Sequence, residues 1–263
     1  MHIKVRIIFL FLILLKALYA DAQEIFTPPI KPNTAFIDGE ILTFQIRYGL
    51  IVGGLTTLSI TEDDYNDKPV FHSLAIAQTT GLAEKLYGVV DVYESWFDKK
   101  TNMPYKEIRN IKEGHYKHYN EVTFDRGKNT INSKLSGVHE VPEKILDLSS
   151  ALYYIRRIDF SKINEGDVIF VNMYFADEIF PFRLRYKGKE IIRTKFGKMS
   201  CLKISPVVEA GRMFKTQDDL TIWFTDDGNY LPVLVRMEIR VVGAVILKLI
   251  KYQNIVNPLI LQK

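Results

Sequence analysis

Cysteine is nearly absent from this chain, in which Cys201 is the single cysteine among 263 residues. One thiol excludes an internal disulfide, so the fold must rest on its apolar core even in an oxidising compartment. It also excludes a lipoprotein leader, which needs a cysteine at its cleavage point. Cys201 lies in a strand-like segment, Met199 to Ile204, where a small buried hydrophobic residue is favoured over a nucleophile.

The familiar catalytic and nucleotide-binding motifs are also missing. The sequence contains no G-x-S-x-G nucleophile elbow, no phosphate-binding glycine loop and no dinucleotide fingerprint. Nucleophilic and nucleotide chemistry therefore lack their usual scaffolds. We assign no catalytic residue, no cofactor and no cofactor-binding residue, and the pattern favours a non-catalytic protein without excluding an enzyme.

Histidine is scarce, with five in the chain including His2 near the amino terminus. His115 and His118 are the closest pair, and their spacing of three places them on opposite faces of a predicted strand. No cysteine or third nearby histidine completes a ligand set, so we expect no metal site. His72 shares a predicted strand face with apolar residues, which favours a hydrogen-bonded core histidine over a catalytic base.

The amino-terminal residues have the order of a cleavable export signal. Two cations lie within residues 1–6, an unbroken apolar run extends from Ile7 to Leu15, and Ala20-Asp21-Ala22 supplies small residues for cleavage between Ala22 and Gln23. The apolar run is well short of the roughly 20 residues that span a bilayer. The sequence therefore predicts an exported protein of the periplasm or cell envelope, neither lipid-anchored nor carrying a stable transmembrane segment in its mature form.

The net charge of the chain is small, because cationic and anionic residues nearly balance. The formal charge of +4 falls to +2 when Lys4, Arg6, Lys16 and Asp21 leave with the signal peptide. A charge so close to neutral gives no indication of a nucleic-acid partner.

Strand patterns are abundant. Aromatic residues make up 12% of the chain, and they favour the half-buried surface of a sheet. Apolar residues alternate with polar ones in many segments: 42–48, 55–60, 70–77, 89–97, 105–111, 116–124, 168–175, 180–186, 220–225, 231–241 and 245–250. Because short turns join most of them, we predict a mainly β fold, an antiparallel meander forming a curved sheet or partly open barrel with one or two short packed helices.

Two segments interrupt this pattern with a helical period. Asp147 is a favoured N-cap before apolar residues at three- and four-residue steps, which predicts a helix of about three turns over residues 147–158. Residues 80–89 are a weaker candidate of about two turns. Prolines 28, 29 and 32 indicate an extended lead-in arm over residues 23–37, followed by a single β-rich domain over residues 38–263.

Two residue groups are candidates for contact with a ligand. Arg183, Arg185 and the lysines at 187 and 189 fall at a period of two, so they form a basic stripe or a solvated sheet face. Aromatic residues such as Tyr93 and Trp96 either line a hydrophobic cavity or fill a core. We take Tyr93, Trp96, Arg183 and Arg185 as the candidate ligand-binding residues. The acidic run at 226–229 ends in Gly228-Asn229 and reads as a hairpin turn in preference to a calcium loop.

Ordered landmarks along the chain resemble those of an exported bacterial family known as domain of unknown function 3108. They are Gly39-Glu40-Ile41-Leu42-Thr43-Phe44, Tyr48-Gly49-Leu50-Ile51-Val52-Gly53-Gly54, Thr79-Thr80-Gly81, Val90-Asp91-Val92-Tyr93-Glu94-Ser95, Asp147-Leu148-Ser149-Ser150-Ala151-Leu152-Tyr153-Tyr154-Ile155-Arg156, Gly188-Lys189-Glu190, Ile222-Trp223-Phe224-Thr225-Asp226-Asp227 and Leu231-Pro232-Val233. The resemblance covers about residues 38–252. It implies a Gram-negative envelope location and a β-rich fold, and because the family has no established activity it carries over no functional residue.

Three functions are compatible with these observations. The leading hypothesis is a non-catalytic envelope protein that binds a hydrophobic or amphipathic small molecule within its curved sheet. A second is an assembly module that pairs with another envelope protein through a strand edge or the arm. A third is a glycan or cell-wall hydrolase using Asp91, Glu94 or Glu190.

Overall fold

The computed structural model describes residues 28–208, 214, 216–240 and 243–263. The predicted leader, its cleavage position at Ala22 and Gln23, and the first part of the arm lie outside the described residues. The elements are β1 (Glu40–Tyr48), β2 (Ile51–Asp64), β3 (Pro69–Thr79), α1 (Leu82–Leu86), β4 (Val89–Asp98), β5 (Pro104–Glu113), β6 (Tyr116–Asp125), β7 (Thr130–Ser133), β8 (Gly137–Glu140), α2 (Leu148–Ile155), a 3₁₀ turn (Phe160–Lys162), β9 (Val168–Phe175), β10 (Glu178–Thr194), β11 (Gly197–Pro206), β12 (Leu220–Thr225), β13 (Pro232–Ile239) and β14 (Gly243–Gln253).

In the described part of the chain, fourteen strands form one antiparallel sheet. Its order is β8-β7-β6-β5-β4-β3-β2-β1-β14-β13-β12-β11-β10-β9, so two meanders of consecutive strands are joined where β1 pairs with β14. The sheet curls but does not close, since β8 and β9 remain its two edges. The predicted mainly β fold, a curved antiparallel meander with short helices, is confirmed.

One face of the sheet forms the interior because side chains alternate between faces along each strand. Residues directly opposite each other on paired strands share a face, so the strand registers trace rows around the sheet. One such row runs through Leu42, Leu58, Ala75, Tyr93, Arg109 and Asn120. Its β1 and β2 members are apolar and its β5 and β6 members are polar, which already divides the interior into two kinds of surface.

Helix α2 packs inside the curl and covers one end of it. Asp147 caps the helix, since its Oδ1 accepts a hydrogen bond from the Ser150 backbone N–H at 2.8 Å while Ser150 Oγ accepts one from the Asp147 N–H at 3.0 Å. This reciprocal arrangement satisfies donors that the first helical turn leaves free. Ala151 and Ile155 are buried in the main apolar cluster together with residues of β9 and β10. The helix predicted from Asp147 is present, but it covers Leu148–Ile155 and is shorter than the three turns expected.

Helix α1 is shorter than the two turns that the sequence suggested. It extends over Leu82–Leu86 only, beginning after Gly81 at a positive φ of 62° and ending where Tyr87 becomes extended. None of its residues is buried. Without an apolar face against the sheet, nothing stabilises further turns.

The β9–β10 turn fastens the curled sheet to the strands facing it. Asp177 in this turn accepts hydrogen bonds from Ser133 Oγ at 2.6 Å, Ser136 Oγ at 2.7 Å and Asn120 Nδ2 at 3.1 Å. Nearby, the backbone of Leu146 bonds to that of Asn172 and Tyr174 on β9. These contacts hold the two halves together without a continuous strand ladder.

A buried ion pair secures the end that α2 covers. Arg156 and Glu40 are 0% and 1% exposed, and their side chains make a bidentate contact at 2.6 and 2.8 Å. Arg156 also donates to the backbone oxygens of Ala35 and Asn229. The arm, β1, α2 and the β12–β13 turn therefore meet at one guanidinium group whose charge is matched.

The only cysteine is a core residue, as expected. Cys201 is fully buried on β11, and burial raises the pKa of its thiol to about 12. Within the described ranges, the helices are all too short and too polar to cross a lipid bilayer.

Candidate functional site

The interior has two different ends. At the helix end lie α2, residues 28–37 of the arm and the Arg156–Glu40 pair. At the other end, which we call the open end, lie the β1–β2 turn, the loop containing α1 and the β5–β6 turn. These turns share one end because consecutive antiparallel strands reverse direction.

Near the open end, the inner face of β4, β5 and β6 is polar. We call the inward ionisable residues of this face the polar wall: Asp91, Tyr93, Arg109, Glu113 and His118. Apolar Val89 and Ile111 share the face with them. Except for His118, which is half-buried, all of them are more than nine-tenths buried. So many buried ionisable side chains on adjacent strands are unusual, since such groups are rarely buried unless they are paired.

The facing surface is apolar. We call its inward residues the apolar wall, and strand registers place them in one row across β1, β14, β13, β12 and β11: Ile46, Leu247, Val235, Ile222 and Ile204. Between the two walls, the inward positions of β2 and β3 carry small side chains, Thr56 and Ala77, directly opposite each other.

The space between the walls retains solvent access. Thr56, Ala75 and Ala77 are only half-buried although they lie in the middle of the sheet, and Leu247 and Ile222 are half-buried too. We call this region the upper interior. It is bounded by an apolar and a charged surface, which is the composition expected of a pocket for an amphipathic molecule.

Asp91 is the most perturbed group of the polar wall. Its carboxylate is 0% exposed, its Oδ1 accepts a hydrogen bond from the Lys112 backbone N–H at 2.9 Å, and its Oδ2 has no donor among the described residues. Burial, together with repulsion from Glu113, raises the pKa of Asp91 to about 7 against the attraction of Arg109. The carboxyl group therefore exchanges a proton near neutral pH.

Arg109 lies at the centre of the polar wall. Its guanidinium lies over the Phe175 ring at 4.4 Å, and the Tyr93 ring stacks on the same phenylalanine at 6.4 Å. The Nε atom of Arg109 has no acceptor among the described residues, and neither does Nε2 of His118. Burial and the nearby Arg109 charge lower the pKa of His118. The wall thus offers a cation, a neutral imidazole and a carboxyl group with unused hydrogen-bonding capacity.

A second acidic layer lies below, toward α2. Ser95 Oγ donates to Asp147 Oδ2 at 2.5 Å, and Glu107 is directly opposite Ser95 across the strands. Burial raises the pKa of Asp147 to about 6, and burial with repulsion from Asp147 raises the pKa of Glu107 well above its usual value. Protonation therefore favours the packing of this layer.

The open end carries an exposed apolar rim. Leu50 is 92% exposed and Leu86 is 77% exposed, and further large apolar side chains surround them. We define the apolar rim as Tyr48, Leu50, Ile51, Leu82, Leu86 and Tyr87. A monomeric soluble protein seldom exposes contiguous apolar patches of this kind unless they contact another molecule.

The structure does not bring the four sequence candidates together. Tyr93 faces the interior, whereas Trp96 lies on the outer face of β4, stacked on His72 at 4.2 Å and donating to Asp63. Arg183 and Arg185 lie on β10, eight strands away in sheet order from β4. Arg185 and Lys187 both pair with Asp218, at 2.9 and 2.7 Å, so part of the basic stripe is neutralised.

The acids considered for hydrolysis are also separated. Asp91 faces inward, Glu94 faces outward and contacts His72 at 3.0 Å, and Glu190 pairs with Lys203 on the distant half of the sheet. No group of three side chains suited to a metal ion occurs within the described parts of the chain. The run at 226–229 is the β12–β13 turn, in which Asp227 Oδ1 accepts the Asn229 N–H at 2.8 Å.

Arg109 and Glu113 were missed from the sequence, although β5 carries a signal that indicates them. In Pro104–Glu113, polar or charged residues occur on both faces of the strand. A strand in the middle of a curled sheet has one face toward the interior, so one polar set had to point inward. That conflict with the usual pattern marks a functional or strained position.

Comparison with known proteins identifies the family. The sequence model of the family described as "Protein of unknown function (DUF3108)" matches residues 43–250, and no curated protein matches the chain. A solved β-barrel-like protein of domain of unknown function DUF1849 from Brucella abortus superposes with a TM-score of 0.55 at 7% identity, over 84% of this chain and 98% of that chain. A DUF1089 family protein from Pseudomonas aeruginosa gives a TM-score of 0.30 at 9% identity, over 82% and 95%. The Brucella likeness concerns the fold alone. Because the family model spans most of the sequence, the chain belongs to the DUF3108 family of proteins of unknown function.

Proposed function

We propose that this protein is a non-catalytic binder of an amphipathic molecule of the cell envelope, held in the upper interior. One observation carries the proposal: buried charged groups with unused hydrogen-bonding capacity face an apolar wall across a half-exposed space. The ligand's polar group contacts the polar wall, and its hydrocarbon part lies on the apolar wall.

The unused capacity of Asp91 and Arg109 supports a polar contact. More than nine-tenths of buried polar atoms in folded proteins have a hydrogen-bond partner, because leaving one unmade costs about 1–3 kcal/mol. Asp91 Oδ2 and Arg109 Nε are buried without one among the described residues. A ligand hydroxyl donating to Asp91 and a ligand oxygen accepting from Arg109 would recover that free energy.

The apolar rim supports entry from a lipid surface. It is continuous with the open end, and exposed cations lie on the same loops and strand ends: Lys85, Lys112 and Lys117. Apolar side chains flanked by cations are suited to an anionic lipid surface. In this scheme the rim contacts the bilayer and the molecule passes into the upper interior without crossing water.

Export to the envelope belongs to the same proposal. It rests on the amino-terminal cations, the apolar run Ile7 to Leu15 and the small residues before Gln23. A periplasmic location would give the protein access to lipids and glycolipids, and the absence of a cysteine near Ala22 argues for a protein that is not lipid-anchored.

The test is recovery of a molecule bound to protein that has been exported with its own leader. Native mass spectrometry and solvent extraction should find an amphipathic compound on the wild type. Thr56→Trp, which fills the upper interior, should abolish its recovery, whereas Thr57→Trp on the opposite face of the same strand should not. Wild-type protein without a bound molecule, or equal recovery from both variants, would overturn the proposal.

A further inference from the structure

A second cleft lies at the helix end, away from the polar wall. It measures about 560 Å³ and is bounded by the arm, the β4–β5 and β6–β7 turns, residues 141–145 and the end of α2. Its apolar lining includes Pro28, Ile30, Met103, Phe124, Ile145 and Tyr154. The volume is within the range of about 300–1,000 Å³ that is usual for small-molecule sites.

The charged residues of this cleft are unbalanced. Among the described residues, four cations line it, Lys100, Arg126, Lys144 and Arg157, against two acids, Asp125 and Glu143. Asp125 is partly committed elsewhere, since it accepts the backbone N–H groups of residues 127 and 128 and pairs with Lys128 at 3.4 Å. The lining therefore has a surplus of positive charge next to apolar side chains.

The main evidence for a ligand in this cleft is the buried cation Arg157. It is only 5% exposed, yet none of the carboxylates in the described parts of the chain forms an ion pair with it. Its Nε donates to the Lys31 backbone oxygen at 3.0 Å and its Nη1 donates to Asn102 Oδ1, both of which are neutral acceptors. Burial lowers the pKa of Arg157, because a charged group has lost water without gaining a full counter-charge.

The preceding residue, Arg156, is a buried arginine whose charge is balanced. It is fully buried, and both carboxylate oxygens of Glu40 accept hydrogen bonds from its guanidinium group. Buried cations in proteins are normally paired in this way. Arg126, at the other side of the cleft, is weakly compensated: its contact with Asp98 is 3.7 Å, and its remaining partners are two hydroxyl groups and the Tyr105 ring at 4.0 Å.

We infer that this cleft binds an amphipathic anion, with its carboxylate or phosphate group at Arg157 and Arg126 and its hydrocarbon chain on Ile30, Met103 and Phe124. Guanidinium groups bind these anions through charge-assisted hydrogen bonds, which are stronger than neutral ones. The site is separate from the upper interior and does not depend on it.

Calorimetric titration of the purified protein with decanoate, decyl phosphate and 1-decanol tests the inference. We expect at least one anion to bind at one site and the neutral alcohol to bind much more weakly, and the two anions distinguish a carboxylate ligand from a phosphate ligand. Arg157→Gln should weaken anion binding about tenfold, and Arg157→Lys should retain most of it. Lys162→Gln removes an exposed cation outside the cleft and should change nothing.

Arg126→Gln is a second test of the inference if the Arg157 variant fails to fold. It should also weaken binding of the anion. The inference is overturned if no anion binds, if decanol binds as tightly as the tighter-binding of the two anions, or if both arginine variants bind that anion normally. Thr56→Trp separates the two proposals. Loss of decanoate binding in that variant, with normal binding in the arginine variants, would place the anion in the upper interior.

Discussion

The Arg156–Glu40 pair at the helix end and the polar wall at the open end both bury charge, but only in the pair is each charge matched by an opposite one. Arg156 and Glu40 form a bidentate pair with additional backbone acceptors, and this pair joins four parts of the chain. At the open end, Asp91 Oδ2 and Arg109 Nε are buried without partners among the described residues. We therefore expect the first set of charges to hold the fold, and the second set is the one that we propose contacts a ligand.

The largest expected effect is at the helix end. Glu40→Gln leaves the Arg156 charge buried without its counter-charge, so we expect the free energy of unfolding to fall by about 3–5 kcal/mol. Urea denaturation measures this free energy. The double variant Glu40→Leu with Arg156→Met removes both charges and should recover much of the lost stability. If the single variant is as stable as the wild type, the two ends do not differ as we describe.

At the open end, the expected effect depends on pH. Asp91 has its pKa raised from 3.8 to about 7 by burial, so the native state binds more protons than the unfolded state between these values. The contribution of Asp91 to stability is therefore complete below about pH 4 and is lost progressively as the pH rises to about 7. Asp91→Asn removes the titration, and between pH 5 and pH 8 it should gain about 2.5 kcal/mol relative to the wild type.

The same urea measurements at the two pH values check this prediction. Asp67→Asn, in an exposed turn, is the matched control and should follow the wild type. Asp147 and Glu107 also have raised pKa values, so a residual decline with pH is expected to persist in the Asp91 variant. A pH dependence that Asp91→Asn leaves unchanged would contradict the assignment of Asp91 as a buried, incompletely bonded acid.

The smallest effect on stability, and the most specific one on function, is expected at the apolar rim. Leu50→Ser combined with Leu86→Ser should change the free energy of unfolding by less than about 0.5 kcal/mol, because both side chains are exposed. Adsorption to vesicles containing anionic phospholipid should decrease several-fold in co-sedimentation. The control pair Ile191→Ser and Val256→Ser removes exposed apolar residues elsewhere, and equal loss in both pairs would show that the rim has no special role.

Much of the fold could be predicted from local patterns. The alternation of apolar and polar residues in segments such as 42–48 predicted the strands. Asp147 before an apolar stripe predicted α2. Strands β7 and β8 were not predicted, because each has only four residues and β8 is almost entirely exposed. Such short segments show too little alternation of apolar and polar residues to be recognised. The pairing of β1 with β14 was not predictable, because no local signal specifies which distant strands become neighbours.

The candidate site was predictable only in part. Tyr93 was identified as an aromatic facing a cavity or core, and it does face the interior, but Trp96, Arg183 and Arg185 are elsewhere on the sheet. Which charged residues share a face depends on registers such as Tyr93 with Arg109 and Asp91 with Ile111. The curvature that places Phe175 against Arg109 comes from contacts between strands far apart in the sequence.

The pairing of β1 with β14 also has a consequence for how the chain is made. Strand β1 pairs with β2 on one edge and with β14 on the other. Its second edge therefore stays unpaired until residues 243–253, more than 190 positions later, have been synthesised. The first eight strands can form a meander while the rest is still being synthesised, but that intermediate exposes β1 as a long, unprotected edge. A chain that stops before Gly243 should therefore aggregate, whatever the quality of its first half.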